Sequence, residues 1–295
     1  MRIVIAGSSG LIGTELVTSL RSDGHEVIKL VRRKPAASSE VYWNPAAGEI
    51  DSSALVGCDV IINLAGAGVG DRRWSNSYKE LIRSSRVDTT SLLAETAADL
   101  KLKVFIAGSA IGWYGDTADR QVDETSPPGE GFLAEVVVAW ETASKPARDA
   151  GVRVVNIRTG LVASKHGGAW AKLLPIFKFG AGGKLGSGKQ YWSFISMRDE
   201  IAAIKFLIDS PNISGPVNLT APQPATNTEV TKAMAKVFKR PALFPVPAFA
   251  LKTVLGEFSQ EVLGSSRVIP KVLLDNGFKF ADPDIESAMR TLATK

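Results

Sequence analysis

An α/β fold, a doubly wound parallel sheet with a smaller mixed C-terminal region, is predicted by three observations. Short apolar β-branched runs alternate with helical spacings from Arg2 to about Leu161. A glycine-rich turn separates the first run from the first helix, and beyond Leu161 the alternation gives way to glycine- and proline-rich sequence.

The elements follow in order. Arg2–Ala6 (RIVIA) is a short apolar run and reads as a buried strand, broken at Gly7–Gly10. Leu11, Ile12, Leu16, Val17 and Leu20 then recur at helical spacing, and Gly24 ends that helix. Glu26–Val31 is a second strand, and Asp59–Leu64 (DVIINL) another, closed by Ala65-Gly66. A helix is predicted from about Tyr78 to Leu100. Strands at Lys103–Ala107 and Val152–Ile157 flank a further helix near Leu133–Arg148. Repeated strand–helix alternation with right-handed crossovers gives a parallel sheet covered on both faces. Farther on, Gly167–Gly188 reads as loop with one helix around Trp170–Phe179. Helices at Ile201–Ile208 and Glu229–Phe238 bracket a short strand at Pro216–Leu219. Pro241, Pro245 and Pro247 mark an irregular connector. Residues 1–165, together with 190–225, are assigned to the sheet, and 166–295 to a smaller substrate-side region whose tail begins at about 248.

Composition narrows the class. The chain has 295 residues, 45% hydrophobic and 22% charged, which excludes disordered, collagen-like and disulfide-scaffold proteins. A net charge of +5 is too mild to imply nucleic acid by itself. The single cysteine, Cys58, excludes an intrachain disulfide and an all-Cys metal site, and two histidines, His25 and His166, leave little for a His-based one. No metal is expected. The opening apolar run is too short for a signal peptide, and no run reaches membrane-spanning length. A cytoplasmic monomer or homodimer with a small-molecule substrate, and with neither nucleic-acid nor membrane partner, is the expectation.

The turn Gly7-Ser8-Ser9-Gly10-Leu11-Ile12-Gly13 has the spacing G-x-x-G-x-x-G between a strand and a helix. Glycines there let the backbone approach a pyrophosphate, and the helix start adds free N–H groups and partial positive charge. This is the signature of a Rossmann-type nucleotide site. The second strand ends Leu30-Val31-Arg32-Arg33-Lys34, three cations without a neighbouring carboxylate. Arg32 and Arg33 suit a 2′-phosphate, whereas an NAD site offers its ribose an acid, so NADP(H) is favoured over NAD(H). The alternative is a solvated basic loop.

With these features, the chain resembles the extended, sugar-nucleotide-epimerase type of the short-chain dehydrogenase/reductase superfamily, and more closely its atypical epimerase-like subfamily. The resemblance rests on GSSGLIG (Gly7–Gly13), NLAG (Asn63–Gly66), RRW (Arg72–Trp74), SR (Ser85-Arg86), GSAIGWYG (Gly108–Gly115), DETSPP (Asp123–Pro128), WE (Trp140-Glu141) and RTGLV (Arg158–Val162). It extends through GSGKQYWSFISMRDE (Gly186–Glu200) and the tail LGSSRVIPKVLLDNGFKF (Leu263–Phe280). The resemblance implies that Leu64, Ala65 and Gly66 run along the adenosine ribose and phosphates, that Arg86 lies near the cofactor, and that Leu161 and Val162 line the nicotinamide. For Arg86 a surface charge is the alternative.

The superfamily's chemistry uses a Tyr-x-x-x-Lys pair on one helix face and a Ser or Thr after a strand, with Lys lowering the phenol's pKa. Here the corresponding helix, Gly131–Glu141, holds neither Tyr nor Lys. Alignment on Trp140-Glu141 puts Gly131 and Glu135 at the two positions, and a shift of two puts Leu133 and Val137 there. The Ser position falls on Ala110, beside Ser109. Ser109, Tyr114 and Glu135 are therefore the substitute catalytic candidates. The alternatives are a packed turn aromatic for Tyr114 and a solvent-facing charge for Glu135.

Gly183–Lys189 has P-loop spacing, but Gln190 replaces the Mg²⁺-binding Ser/Thr and no strand precedes it. On the resemblance this is a substrate-side loop in which Lys189, Gln190 and Trp192 meet a polar substrate; a flexible connector is the alternative. The implied protein is an NADP(H)-binding epimerase-like oxidoreductase with a non-standard active site. The rival is a catalytically silent NADPH-binding sensor or partner-binding protein.

Overall fold

The computed structural model describes residues 1–294. In its first half, β1 (Arg2–Ala6), α1 (Leu11–Ser22), β2 (Glu26–Val31), β3 (Glu40–Asn44), β4 (Glu49–Ile50) and β5 (Val60–Asn63) are followed by the long helix α2 (Asn76–Asp99) and by β6 (Val104–Ala110). A 3₁₀ turn at Ile111–Tyr114 and the short β7 (Gln121–Val122) lead to α3 (Phe132–Thr142), α4 (Lys145–Asp149), β8 (Arg153–Thr159) and β9 (Leu161–Ala163). The remainder comprises α5 (Gly168–Lys178), β10 (Tyr191–Trp192), β11 (Phe194–Ser196), α6 (Met197–Asp209), β12 (Gly215–Leu219), β13 (Ala225–Thr226), α7 (Asn227–Phe238), α8 (Ala248–Leu255), α9 (Ser259–Leu263), β14 (Arg267–Val268), α10 (Lys271–Asp275) and α11 (Ile285–Thr294).

Eight strands form one sheet in the order β12-β8-β6-β5-β1-β2-β3-β4. All neighbours are parallel except β3 and the edge strand β4. The central strands are buried on both faces, so Ile3, Val4, Ile5, Ile61 and Ile62 form continuous apolar runs. One core joins the sheet to α1 and α6 through Leu16, Leu20, Ile204 and Leu207; the other joins it to α2 through Leu93, Ala94 and Ala97. Strand order reverses between β1 and β5, and the crevice outside the carboxyl ends of these strands is where a ligand fits.

Two departures from the sequence reading have local causes. Glu40–Asn44 is a strand, with Val41 and Trp43 buried and Tyr42 exposed. The helix expected over Leu133–Arg148 is two. The Ser144 hydroxyl turns back onto the Glu141 carbonyl at 2.6 Å, and Pro146 sits in the first turn of α4, where its missing N–H costs nothing.

The tail is sewn onto the carboxyl edge of the sheet. β14 pairs with β7, Ser265 accepts the Thr117 amide at its carbonyl, and the Ser266 hydroxyl donates to Gly115 O. Beneath it, Trp170, Trp192, Phe194, Met234 and Met289 fill a third core among α5, α7 and α11.

Candidate functional site

The turn after β1 is built for close backbone approach. Gly7 has φ +75°, and a Cβ on it would lie 2.6 Å from the Leu64 carbonyl carbon. A Cβ on Gly13 would lie 2.2 Å from Gly7 O. Gly10 closes the turn with its N–H on Gly7 O at 3.0 Å. α1 starts at Gly10 with no side-chain cap and no acid in its first turn. The N–H groups of Leu11, Ile12 and Gly13 thus point outward uncompensated, beside Ser8 and Ser9, in a cradle for an anion.

Leu64, Ala65 and Gly66 form the opposite wall. The Ala65 N–H donates to Asn63 Oδ1 at 3.1 Å, while Asn63 Nδ2 donates to Thr90 Oγ1 at 2.9 Å, which pins the strand end to α2. Arg86 reaches over Gly66 from α2. Its guanidinium lies 5.1 Å from the Trp140 ring centroid and donates to Ile82 O at 2.9 Å. No carboxylate pairs with it among the described residues, and burial pulls its pKa down to about 10. A half-buried guanidinium without a counter-ion favours an anionic ligand. Leu161 and Val162 are half-buried on β9, which follows β8 and pairs with β11.

The basic run after β2 requires a correction. A carboxylate does accompany it, brought there by β3. Glu40 receives both prongs of the Arg33 fork at 2.8 Å, Lys29 Nζ at 3.1 Å and the Ala36 N–H at 2.9 Å. The Arg33 hydrogen bonds, foremost, hold the Glu40 carboxyl down at about 2. Glu40 is thereby saturated and Arg33 neutralised, whereas Arg32 is exposed without a side-chain partner among the described residues.

The catalytic candidates come apart. Tyr114 is 1% exposed; its hydroxyl donates to Asn218 Oδ1 at 2.7 Å and accepts from Arg158 Nη1 at 3.0 Å. Burial pushes its pKa up to about 12. Ser109 is buried and donates to Glu141 Oε1 at 2.6 Å. Glu135 faces solvent on α3. Ser109 and Tyr114 are buried and bonded within the protein, which corrects their assignment as proton donors, whereas Glu135 lies on the exposed side of α3. Instead, Ser109 and Tyr114 belong to a buried network centred on Arg158. Glu141 accepts Arg158 Nε at 2.7 Å and Nη2 at 2.9 Å, and the guanidinium lies 3.9 Å from the Trp113 ring centroid. Asn218 extends the network, its N–H donating to Glu124 Oε1 at 3.0 Å and its Nδ2 to Ile269 O at 3.0 Å.

The structure also settles which α3 residues face the turn after β6. A Cβ on Gly112 would meet Leu133 Cβ at 3.5 Å and Val137 Cγ2 at 3.7 Å. Leu133 and Val137, four residues apart, stand on the face turned to Gly112, and both are apolar.

The substrate-side loop is likewise revised. Gln190 is buried, with Nε2 on Leu185 O at 2.9 Å. Trp192 is buried edge-on against Trp170 at 6.4 Å between centroids. Packing consumes both side chains, and only Lys189 is exposed. A group the sequence reading missed is Glu200. It is fully buried at the start of α6; Oε1 accepts from Thr159 Oγ1 at 2.9 Å and Oε2 has no partner among the described residues. Burial raises its carboxyl to about 8. No apolar-run signal marks it, because Glu200 sits among charged neighbours in MRDE.

Comparison with known proteins agrees with this architecture. The NAD dependent epimerase/dehydratase family matches residues 3–219, and a domain of unknown function, DUF1731, matches residues 246–292. The chain belongs to the NAD dependent epimerase/dehydratase family, as an atypical extended short-chain dehydrogenase/reductase of the epimerase-like kind. It is 45% identical over 294 residues to epimerase family protein Mb2239 of Mycobacterium bovis, covering 99% of this chain and 98% of the relative. The crystal structure of human epimerase family protein SDR39U1 (isoform 2) with NADPH is 29% identical, has a TM-score of 0.92 and covers 100% of both chains. UDP-N-acetylglucosamine 4-epimerase from Bacillus cereus, 16% identical with TM-score 0.78 over 100% of this chain and 98% of that one, shares the fold.

Proposed function

We propose that this protein binds NADP(H) across the crevice between β1 and β5, as an epimerase-like oxidoreductase acting on a small polar or sugar-nucleotide-like substrate. The observation that carries the reading is the glycine cradle at an uncapped helix start, with Arg32 lacking a side-chain partner among the described residues while Glu40 is saturated. Leu11, Ile12 and Gly13 amides would hold the diphosphate, Arg32 the 2′-phosphate, and Arg33, locked on Glu40, would shape the loop. A ribose has no free acid to accept its hydroxyls there, which disfavours NAD(H). The NADPH found with human SDR39U1 supports a pyridine nucleotide in this crevice. Arg86 would meet the cofactor's negative charge over Gly66, and Leu161 and Val162 would wall the nicotinamide, which when bound supplies or accepts a hydride. The substrate would lie under residues 166–295, within reach of Lys189. Leu133 and Val137 face Gly112 with apolar side chains, and α3 carries neither Tyr nor Lys, so no Tyr–Lys pair on α3 would deliver a proton.

That last observation favours a second reading, an NADPH-binding sensor or partner-binding protein without turnover. Equilibrium binding of NADPH, followed by NADPH oxidation over a panel of carbonyl compounds and sugar nucleotides, separates the two. Tight binding with turnover of any panel member supports the enzyme; tight binding with none supports the sensor; absent binding refutes both.

A further inference from the structure

The crevice does not account for the surface formed by α5, α7, the proline-rich connector and α8. Six of the eleven exposed large apolar side chains among the described residues lie there: Phe179 (86% exposed), Leu243 (75%), Phe249 (73%), Val254, Phe244 and Ile176. The segments that carry them are joined. Phe244 N–H donates to Gly182 O and Val246 N–H to Lys184 O, which straps the connector to the end of α5. Lys178 Nζ lies 5.9 Å from the Phe238 ring centroid, joining α5 to α7. α8 (AFALKTVL) buries none of its residues.

Charge follows the same boundary. Residues 165–189 and 230–256 contain five cations each and no Asp or Glu, and all ten cations are exposed. Elsewhere the chain holds 25 Lys and Arg against 30 acids, so the basic excess is confined to this region. Exposed aromatic and aliphatic side chains on segments that carry only cations match an anionic interface with an apolar interior. A second copy of the chain fits poorly, because a two-fold contact would press these cations against their own counterparts.

We infer that this face docks peripherally on an anionic lipid bilayer, with Phe179, Phe244 and Phe249 entering the acyl boundary and Lys178, Lys239, Arg240 and Lys252 meeting the headgroups. No described helix is long and apolar enough to cross a membrane, and surface docking requires none. Peripheral docking departs from the sequence expectation of no membrane partner, which rested on the lack of a run of spanning length.

Flotation of the full chain with vesicles tests the inference. Binding is expected with phosphatidylcholine–phosphatidylglycerol vesicles at low salt, and little with phosphatidylcholine alone or at high salt. Each basic residue at such a surface contributes about fivefold in partitioning, so Lys239→Gln with Arg240→Gln should weaken binding about 30-fold. Phe179→Ser/Phe244→Ser/Phe249→Ser should abolish flotation with an unchanged circular dichroism spectrum; all three side chains are exposed. The inference is overturned by absence of flotation with anionic vesicles, by equal flotation with neutral ones, or by full binding of the triple variant. Capture by an acidic polypeptide without vesicle binding would assign the face to a protein partner and equally overturn it.

Discussion

Replacing Glu141 by Ala removes the only carboxylate among the described residues that pairs with the Arg158 guanidinium, which is 2% exposed. Three hydrogen bonds go with it: Arg158 Nε at 2.7 Å, Arg158 Nη2 at 2.9 Å and Ser109 Oγ at 2.6 Å. Arg158 would keep only the Tyr114 hydroxyl and the Trp113 ring, and neither carries a compensating charge. Breaking a buried ion pair from one side costs about 3–5 kcal/mol, a large part of the roughly 5–15 kcal/mol that holds a domain folded. With a urea m-value of about 3 kcal/mol/M, the midpoint should fall by roughly 1–1.7 M. Urea unfolding followed by tryptophan fluorescence reads this directly. Glu141→Leu with Arg158→Met removes both charges and should recover most of the loss, because two apolar side chains leave no charge unpaired. A loss below about 1 kcal/mol in Glu141→Ala, or a double variant no more stable than the single one, would refute the assignment of the network as a buried structural clamp.

Further outcomes follow from other parts of the molecule. Gly13→Ala places a methyl group 2.2 Å from Gly7 O and should abolish the NADPH-induced rise in melting temperature; an undiminished rise would show that the turn is not the binding site. Arg32→Ala should weaken NADPH about 10- to 150-fold in fluorescence titration and leave NADH unchanged, since one charge-assisted contact is lost; equal losses for both nucleotides would remove Arg32 from the 2′-phosphate. The Glu200 carboxyl keeps its proton in the native state up to about 8 because burial disfavours its charge, whereas the unfolded chain releases it near 4.5. In that window the native state binds more protons, so this group makes stability fall as pH rises from about 5 to 8. Glu200→Gln should flatten the decline and be the more stable protein at about pH 9 in urea titrations; a parallel decline in both would place the effect elsewhere.

The sheet was legible because its strands are continuous apolar runs and its first turn is punctuated by glycines, both local features. β3 was hidden because EVYWN is brief and follows the polar Ala37-Ser38-Ser39 stretch; with it went Glu40, whose meeting with Arg33 is made by strand pairing. Tyr114 had the right chemistry for a proton donor, but its burial against Asn218 depends on β12, far along the chain. The absence of Tyr and Lys on α3 was plain in the sequence, yet the choice between the Gly131/Glu135 and Leu133/Val137 registers needed the approach of Gly112 to α3. Gln190 and Trp192 looked available because polar and aromatic residues in a glycine-rich segment read as loop. Tertiary contacts with Leu185 and Trp170 consume them.

Calorimetric titration of the chain with NADPH and with NADH is the most direct measurement. The structure predicts one NADPH per chain, bound at least about tenfold more tightly than NADH, a difference of about 1.4 kcal/mol. An absence of heat from both nucleotides at millimolar concentration, or tighter binding of NADH, would contradict it.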